Sequence, residues 1–235
     1  MPDHKIARRP MPIDPDAFAE KKHLAHAAAE LYLDDPARLT AEAVCERAGL
    51  SKEVFVAHFD EVDALLPAVY DLALDQYHLL RHATADYERF SFEERLATFY
   101  FILLDTLGEQ RAFVAATFDT SIRRSSSFRK GVQSAIREIF TASDVPSTSQ
   151  LITGFWPAQA LYTEVTLQVI RHWVHDASED AQETTALVDK LVAFTAELVT
   201  FRGVQRATDL AWYLVQIDIF GLGRLPLIGR LFRRS

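Results

Sequence analysis

The sequence predicts an all-α protein with a small N-terminal three-helix head and a larger helical body. From Asp14 onward, apolar residues recur at helical spacing, and hardly any segment alternates β-branched residues with a period of two. Glycine and proline divide the first part of the chain into short helices and the rest into longer ones. We expect a flexible arm, the head, the body and a cationic tail at residues 1–13, 14–66, 67–220 and 221–235.

The composition is that of a globular protein, with 49% apolar and 25% charged residues in a chain of 235. The formal net charge is −8, so binding to a polyphosphate would need a local basic patch. A single cysteine, Cys45, excludes an internal disulfide and falls on an apolar stripe, which indicates a small core residue. We see neither a signal-peptide pattern nor an apolar run near the roughly 20 residues that span a bilayer. A cytoplasmic location is therefore expected.

The head begins with a helix predicted over residues 16–33. This helix ends before Pro36, because proline disfavours helical geometry in the residue that precedes it. Thr40 then supplies the N-cap of a second, short helix that runs through Ala48. Gly49 ends the second helix, because glycine enters the left-handed region without steric cost.

Ser51 is the predicted N-cap of a third helix over residues 52–59, and a long fourth helix is predicted from about Asp60 to Tyr87. Two short helices joined by a three-residue turn with glycine form a helix-turn-helix arrangement. In DNA-binding proteins of this kind the second short helix lies in the major groove.

The body is predicted to contain six further helices, separated by glycine, serine and proline breaks. Their expected ranges are 91–107, 110–120, 127–142, 148–175, 180–202 and 204–219. Four apolar residues of the fifth of these helices are spaced by four, three and four, which favours packing on another helix. They are Leu187, Leu191, Phe194 and Leu198. We expect dimerisation through the helices around 150–175 and 180–202.

Residues 39–74 carry an ordered set of motifs: a threonine-capped helix, an alanine-glycine turn followed by leucine and serine, a helix that ends in His-Phe, and a leucine-rich helix. The residues concerned are Thr40, Ala48, Gly49, Leu50, Ser51, His58, Phe59, Leu65 and Leu66. This pattern resembles the DNA-binding head of TetR-family transcriptional repressors. The resemblance implies a TetR-like fold, a homodimer, operator DNA as a partner, and an apolar ligand pocket in the body.

The head departs from the family at three positions that in the family contact phosphates, because Val54, Val56 and Val62 cannot donate hydrogen bonds. Residues 40–63 also carry two basic and six acidic side chains, a net charge of −4 that opposes counterion release at DNA. The candidate DNA contacts are Arg8, Arg9, Thr40, Ser51, Lys52 and His58. The arm that holds the two arginines either reaches a minor groove or is a solubilising tail.

Aromatic side chains are concentrated on the body helices, where they form either an ordinary core or the lining of an apolar pocket with a few polar groups. The candidate lining residues are Phe99, Phe113, Thr117, Phe118, Phe155, Trp156, Gln159, Tyr162 and Thr163. The resulting hypothesis is a hydrophobic ligand, either a small molecule or a lipid.

A second motif lies at residues 172–191, where a helix end, a serine-capped turn and a new helix start follow one another. Its residues are Trp173, Asp176, Ser178, Asp180, Thr184 and Asp189. It resembles a segment shared by some TetR regulators and by the lipid-binding accessory proteins of ubiquinone biosynthesis, which use the TetR fold without binding DNA. The same residues are also typical of a purely structural turn between two helices.

The tail over residues 221–235 combines four arginines and six large apolar residues and has no acidic residue. The residues expected to contact a membrane are Leu222, Arg224, Leu225, Ile228, Arg230, Leu231 and Phe232. Such a segment either lies on an anionic membrane surface or packs on the body or on a dimer partner.

Histidine pairs with helical spacing lack a third converging ligand, which a metal site needs. The pairs are His23 with His26, His78 with His82, and His172 with His175. Because the chain also lacks phosphate-binding, GxSxG and CxxC motifs, we expect no metal, no cofactor and no enzymatic activity.

Two functions remain. The first is a ligand-responsive TetR-like repressor. The alternative is a TetR-fold protein that no longer binds DNA, carries a lipid or isoprenoid, and docks on the inner face of the membrane through its tail. We adopt the first.

Overall fold

The structure is a computed structural model that describes residues 13–121, 126–142, 145 and 156–200. Over these ranges the chain is helical and contains no strand, which confirms the all-α prediction. The predicted arm at its first twelve residues, the predicted helix over 204–219 and the cationic tail lie outside the described residues.

The head consists of α1 (Pro15–Asp34), α2 (Ala41–Ala48) and α3 (Lys52–His58). The predicted caps are present: Thr40 Oγ1 accepts the backbone N–H of Ala43 at 3.2 Å, and Ser51 Oγ accepts that of Val54 at 3.5 Å. Gly49 has φ 67°, in the left-handed region that ends α2. These local signals place the three helices within a residue or two of their predicted bounds.

The fourth helix, α4 (Leu65–Ala83), is shorter than predicted at both ends. The expected start near Asp60 is wrong, because residues Val62–Ala64 form a separate 3-10 turn. The expected end near Tyr87 is wrong because Thr84 leaves helical geometry and its hydroxyl caps the carbonyl of Leu80 at 2.7 Å. A second 3-10 turn, Tyr87–Arg89, then leads into the body.

The body contains α5 (Phe92–Gly108), α6 (Arg111–Ser121), α7 (Ser126–Phe140), α8 (Trp156–His175) and α9 (Gln182–Thr200). Each corresponds to a predicted helix. The predicted start of the α8 segment at residue 148 falls outside the described residues.

Helix α4 occupies the centre of the molecule and packs against α1 of the head and against α5 and α7 of the body. Tyr70 and Tyr77 on α4 are fully buried. Gly131 brings α7 close to α4, because a Cβ atom there would lie 2.4 Å from Leu74 Cδ1. Cys45 is buried, as the sequence predicts for a small core residue.

Asp176 organises the turn between α8 and α9. Its carboxylate accepts the backbone N–H and the hydroxyl of Ser178, at 2.9 and 2.5 Å, and those of Thr184, at 2.8 and 2.6 Å. These hydrogen bonds hold the pKa of Asp176 well below its usual range. Arg111, at the start of α6, donates to the carbonyl oxygens of Trp173 and Asp176 and lies over the Trp173 ring. Within the described part of the chain, the contacts of Asp176, Ser178 and Thr184 hold the end of α8 against the start of α9.

Candidate nucleic-acid interface

Helix α3 presents a narrow surface to solvent at the position of a recognition helix. Phe55 and the following Phe59 are buried and anchor α3 to the head. Lys52, Glu53 and Val56 face outward, and Val56 is 64% exposed. The exposed surface of α3 therefore offers DNA one lysine, one glutamate and the apolar side chains of Val56 and Ala57.

Each basic residue of α2 and α3 has an acidic partner inside the head. Lys52 Nζ lies 2.8 Å from Glu42 Oε1, and both side chains are exposed. Arg47 donates one hydrogen bond to Glu30 and one to Asp34, each at 3.1 Å. These pairs neutralise the positive charge that a phosphate backbone would otherwise meet.

His58, the remaining candidate base contact on α3, is directed toward α1. Its Nε2 atom lies 2.8 Å from Glu20 Oε2, and its side chain is mostly buried. The hydroxyls of Thr40 and Ser51 serve as helix caps. Arg8 and Arg9 lie outside the described residues. Of the described candidates, Lys52 is the one positively charged side chain that is largely exposed.

The three valine positions differ in exposure. Val54 and Val62 are half-buried and pack against the core of the head, whereas Val56 projects into solvent. Two of the substitutions therefore add apolar contacts within the head. The third places an apolar group on the surface that would face DNA.

The described candidate ligand-binding residues of the body are packed against other side chains. Phe99 and Phe113 are fully buried. Because the Thr117 hydroxyl donates to the carbonyl of Phe113 at 2.8 Å, the Tyr70 hydroxyl is the donor in its 2.7 Å contact with Thr117. Burial raises the pKa of Tyr70 to about 12, so this donor stays protonated.

On α8, Gln159 and Thr163 are buried, and Thr163 donates to the carbonyl of Gln159 at 2.8 Å. The Tyr162 ring lies 4.6 Å from that of Phe140, and its hydroxyl donates to Thr195 at 3.4 Å. Phe155 and the Trp156 side chain lie outside the described residues.

A half-open cavity of about 190 Å³ lies between α6, α7 and α8. Its described lining consists of Phe118, Asp119, Arg129, Glu164, Leu167, Gln168 and Arg171. Among the candidate ligand-binding residues that the structure describes, Phe118 is the one that borders this cavity. No sequence pattern predicted this cavity, because its charged residues come from three helices and have ordinary surface spacing.

Helices α8 and α9 expose large apolar side chains that the rest of the described chain does not cover. They are Leu161, Leu187, Phe194 and Leu198, of which Leu161 and Phe194 are each 61% exposed. Three of the four belong to the predicted seam, while Leu191 of that seam packs against the core. Exposed apolar side chains are typical of an interaction surface where they form a contiguous patch.

The comparisons with known proteins agree with this architecture. A family model described as the tetracycline-repressor-like C-terminal domain matches residues 95–214, just over half of the chain. The chain belongs to the TetR family. The crystal structure of the TetR transcriptional regulator from Nitrosomonas europaea ATCC 19718 is similar in fold, with a TM-score of 0.54 at 18% identity. That match covers 76% of this chain and 98% of the other. Among curated proteins, none matches the sequence.

The family model matches the body of this TetR protein, so the description of the head rests on the structure of the head alone. Among the described residues, no group of three metal-ligating side chains converges on one point. His26 instead lies 3.9 Å from Glu109, and burial lowers the pKa of His26. None of the described helices has the length and apolar character needed to cross a membrane.

Proposed function

We propose that this TetR-family protein is a ligand-responsive transcriptional repressor that binds operator DNA as a homodimer. The observation that carries the proposal is the helix-turn-helix head, in which α2, the left-handed Gly49 and α3 have the arrangement that presents a recognition helix. Lys52 at the start of α3 is the candidate phosphate contact. The arginines of the N-terminal arm would add contacts in an adjacent groove.

The homodimer is supported by the exposed apolar face of α8 and α9. Packing this face on its copy would remove Leu161 and Phe194 from water, and burial of a side chain of this size contributes about 1.5–3 kcal/mol. Two heads on one duplex raise the effective concentration of each for its half-site. Avidity of this kind would offset the weak electrostatic attraction between a single head and DNA.

The proposed effector is a hydrophobic small molecule that binds among the aromatic side chains of α5, α6 and α8. Support comes from the buried polar groups Thr117, Gln159 and Thr163, which lie in an otherwise apolar region. Binding there would require the packed aromatic rings to move, and such movement would alter the spacing of the heads. The proposal assigns the protein no catalytic activity.

A second candidate function is favoured by the ion pairs of Lys52 and Arg47 inside the head. In this case the head no longer binds DNA, the body binds lipid or isoprenoid, and the tail docks on an anionic membrane from the cytoplasmic side. Its support is the acidic head, the exposed Val56 and the four arginines of residues 221–235.

One experiment separates the two candidates. Purified full-length protein is mixed with random genomic DNA fragments over a series of salt concentrations, and with anionic liposomes in parallel. Enrichment of a palindromic fragment supports the repressor, and its release by hydrophobic compounds would support the effector. Binding to liposomes without DNA enrichment supports the second candidate. In that case, deletion of residues 221–235 should abolish sedimentation with liposomes, and sedimentation of the truncated protein would exclude the tail as anchor.

A further inference from the structure

The cavity between α6, α7 and α8 has an apolar floor and a charged mouth. Phe118 and Leu167, which line it, are almost fully buried. Its volume of about 190 Å³ is similar to the roughly 150 Å³ of an apolar cavity that binds benzene. This is room for a molecule with one ring or a short chain.

Two ion pairs stand at the mouth, and each joins α8 to a neighbouring helix. Arg171 donates from Nε to Asp119 Oδ1 of α6 at 3.0 Å, and one of its terminal nitrogens donates to the same oxygen. Arg129 of α7 donates from one nitrogen to Glu164 of α8. All four side chains are between 38% and 60% exposed, so solvent reaches them.

The guanidinium groups have hydrogen-bonding capacity beyond these pairs. A guanidinium carries five N–H donors, and the hydrogen bonds within the described part of the chain use two on Arg171 and one on Arg129. A ligand carboxylate can therefore bind a guanidinium without breaking its ion pair, and the planar fork favours two parallel hydrogen bonds.

The balance of charge restricts the ligand further. The described lining contains two arginines and two carboxylates, whose formal charges sum to zero. A polyanion such as a nucleotide would be repelled by Asp119 and Glu164 as strongly as it is attracted by the arginines. A ligand with a single carboxylate beside an apolar group matches both the charged mouth and the apolar floor of the cavity.

We propose that this cavity is a binding site for a small organic acid that has one carboxylate and a short apolar group, either a ring or a short chain. The carboxylate binds Arg129 or Arg171, and the apolar group packs on Phe118 and Leu167. Phe118 belongs both to this cavity and to the candidate ligand-binding residues of the body, so the site adjoins the region proposed for the hydrophobic effector. It is also placed to influence the head, because α6 packs against α1 as well as against α8.

The test is calorimetric titration of the full-length protein with benzoate, with benzamide as the uncharged molecule of the same shape. Saturable binding is expected, at least tenfold tighter for benzoate than for benzamide. The double variant Arg129→Gln with Arg171→Gln should weaken benzoate binding at least tenfold, since each charge-assisted hydrogen bond is lost. The matched control Arg137→Gln removes an exposed arginine elsewhere on α7 and should leave affinity unchanged. Thermal unfolding checks that each variant is folded.

Three results would overturn the proposal. The first is a lack of saturable binding of benzoate or of hexanoate, a short-chain acid. The second is equal affinity for benzoate and benzamide, and the third is unchanged benzoate binding in the folded double variant. None of these results bears on the DNA experiment above, so failure of this site and failure of the repressor proposal are distinguishable.

Discussion

The side chain of Asp176 connects the end of α8 to the start of α9. Its four accepted hydrogen bonds satisfy donors at the start of the α8–α9 turn and at the start of α9. Ser178 and Thr184 donate best to an ionised carboxylate, and for this reason the pKa of Asp176 is lowered in the folded protein.

The lowered pKa gives a prediction about pH. Because the folded pKa of Asp176 lies below its unfolded value, the stabilisation is present at neutral pH, declines as the pH falls through the unfolded pKa of about 4, and is fully lost only below the folded pKa. Asp176→Asn should therefore lower the free energy of unfolding at pH 7, and the difference from the wild type should shrink as the pH is lowered toward 3. Urea denaturation at several pH values measures this difference.

The control for Asp176→Asn is Asp189→Asn, which changes an exposed aspartate on α9. It should change stability little at any pH. A deficit of Asp176→Asn that is the same at pH 7 and pH 3 would contradict the linkage.

At the residue scale, the features that the sequence predicted correctly involve residues close to one another in the chain. The caps at Thr40 and Ser51 and the left-handed Gly49 involve residues at most four positions apart, and all three are confirmed. The pairing of His58 with Glu20 joins residues 38 positions apart. Such a contact depends on how α3 packs on α1, and periodicity does not determine it.

At the element scale, the approach of α7 to α4 depends on Gly131. An added Cβ would lie 2.4 Å from Cδ1 of Leu74, a buried side chain with little room to move. Overpacking of this kind costs roughly 1–3 kcal/mol, and the better helix propensity of alanine offsets about 1 kcal/mol. Gly131→Ala should therefore destabilise the protein by about 1 kcal/mol.

The matched control is Gly108→Ala at the end of α5, where an added Cβ would meet Trp173 at 3.7 Å, an ordinary contact. Gly108→Ala should be neutral or slightly stabilising. Thermal or urea unfolding of both variants checks the pair. Equal stability of the two variants would show that α7 is free to shift away from α4.

Helix boundaries were predicted well where a cap or glycine marks them and poorly where none does. The start of α4 has no side-chain cap, and its apolar pattern continues through the preceding 3-10 turn. A prediction from periodicity alone therefore joined the 3-10 turn and α4 into one helix. The ion pairs around the α6–α7–α8 cavity were missed for a similar reason, since Asp119 and Arg171 are 52 residues apart.

At the scale of the whole molecule, the exposed apolar face of α8 and α9 predicts self-association. Phe194→Arg places a charge on this face and should make the proposed dimer monomeric, because burying an unpaired charge is costly. Sedimentation equilibrium measures the change. The control Leu33→Arg alters an exposed leucine of α1 and should leave the dimer intact. A Phe194→Arg protein that remains dimeric would place the interface elsewhere.

The head and the body together make one unit in this protein, because α1 packs against both α4 and α6. Lys22 of α1 and Glu109, which precedes α6, form an ion pair at 2.6 Å across this contact. A ligand that moves α6 would therefore act directly on the helix that carries the helix-turn-helix. The proposed repressor function depends on DNA binding by this head.

The most direct test of DNA binding is the affinity of two head variants and one body control for the enriched DNA fragment over a series of salt concentrations. Lys52→Ala should weaken binding and reduce the salt slope by about 1 for each head. Glu42→Gln should strengthen binding, because it removes a charge near the phosphates and frees Lys52 from its ion pair. Glu93→Gln, at an exposed position on α5, is the control and should have no effect. Unchanged affinity in both head variants at every salt concentration would contradict DNA binding through this surface.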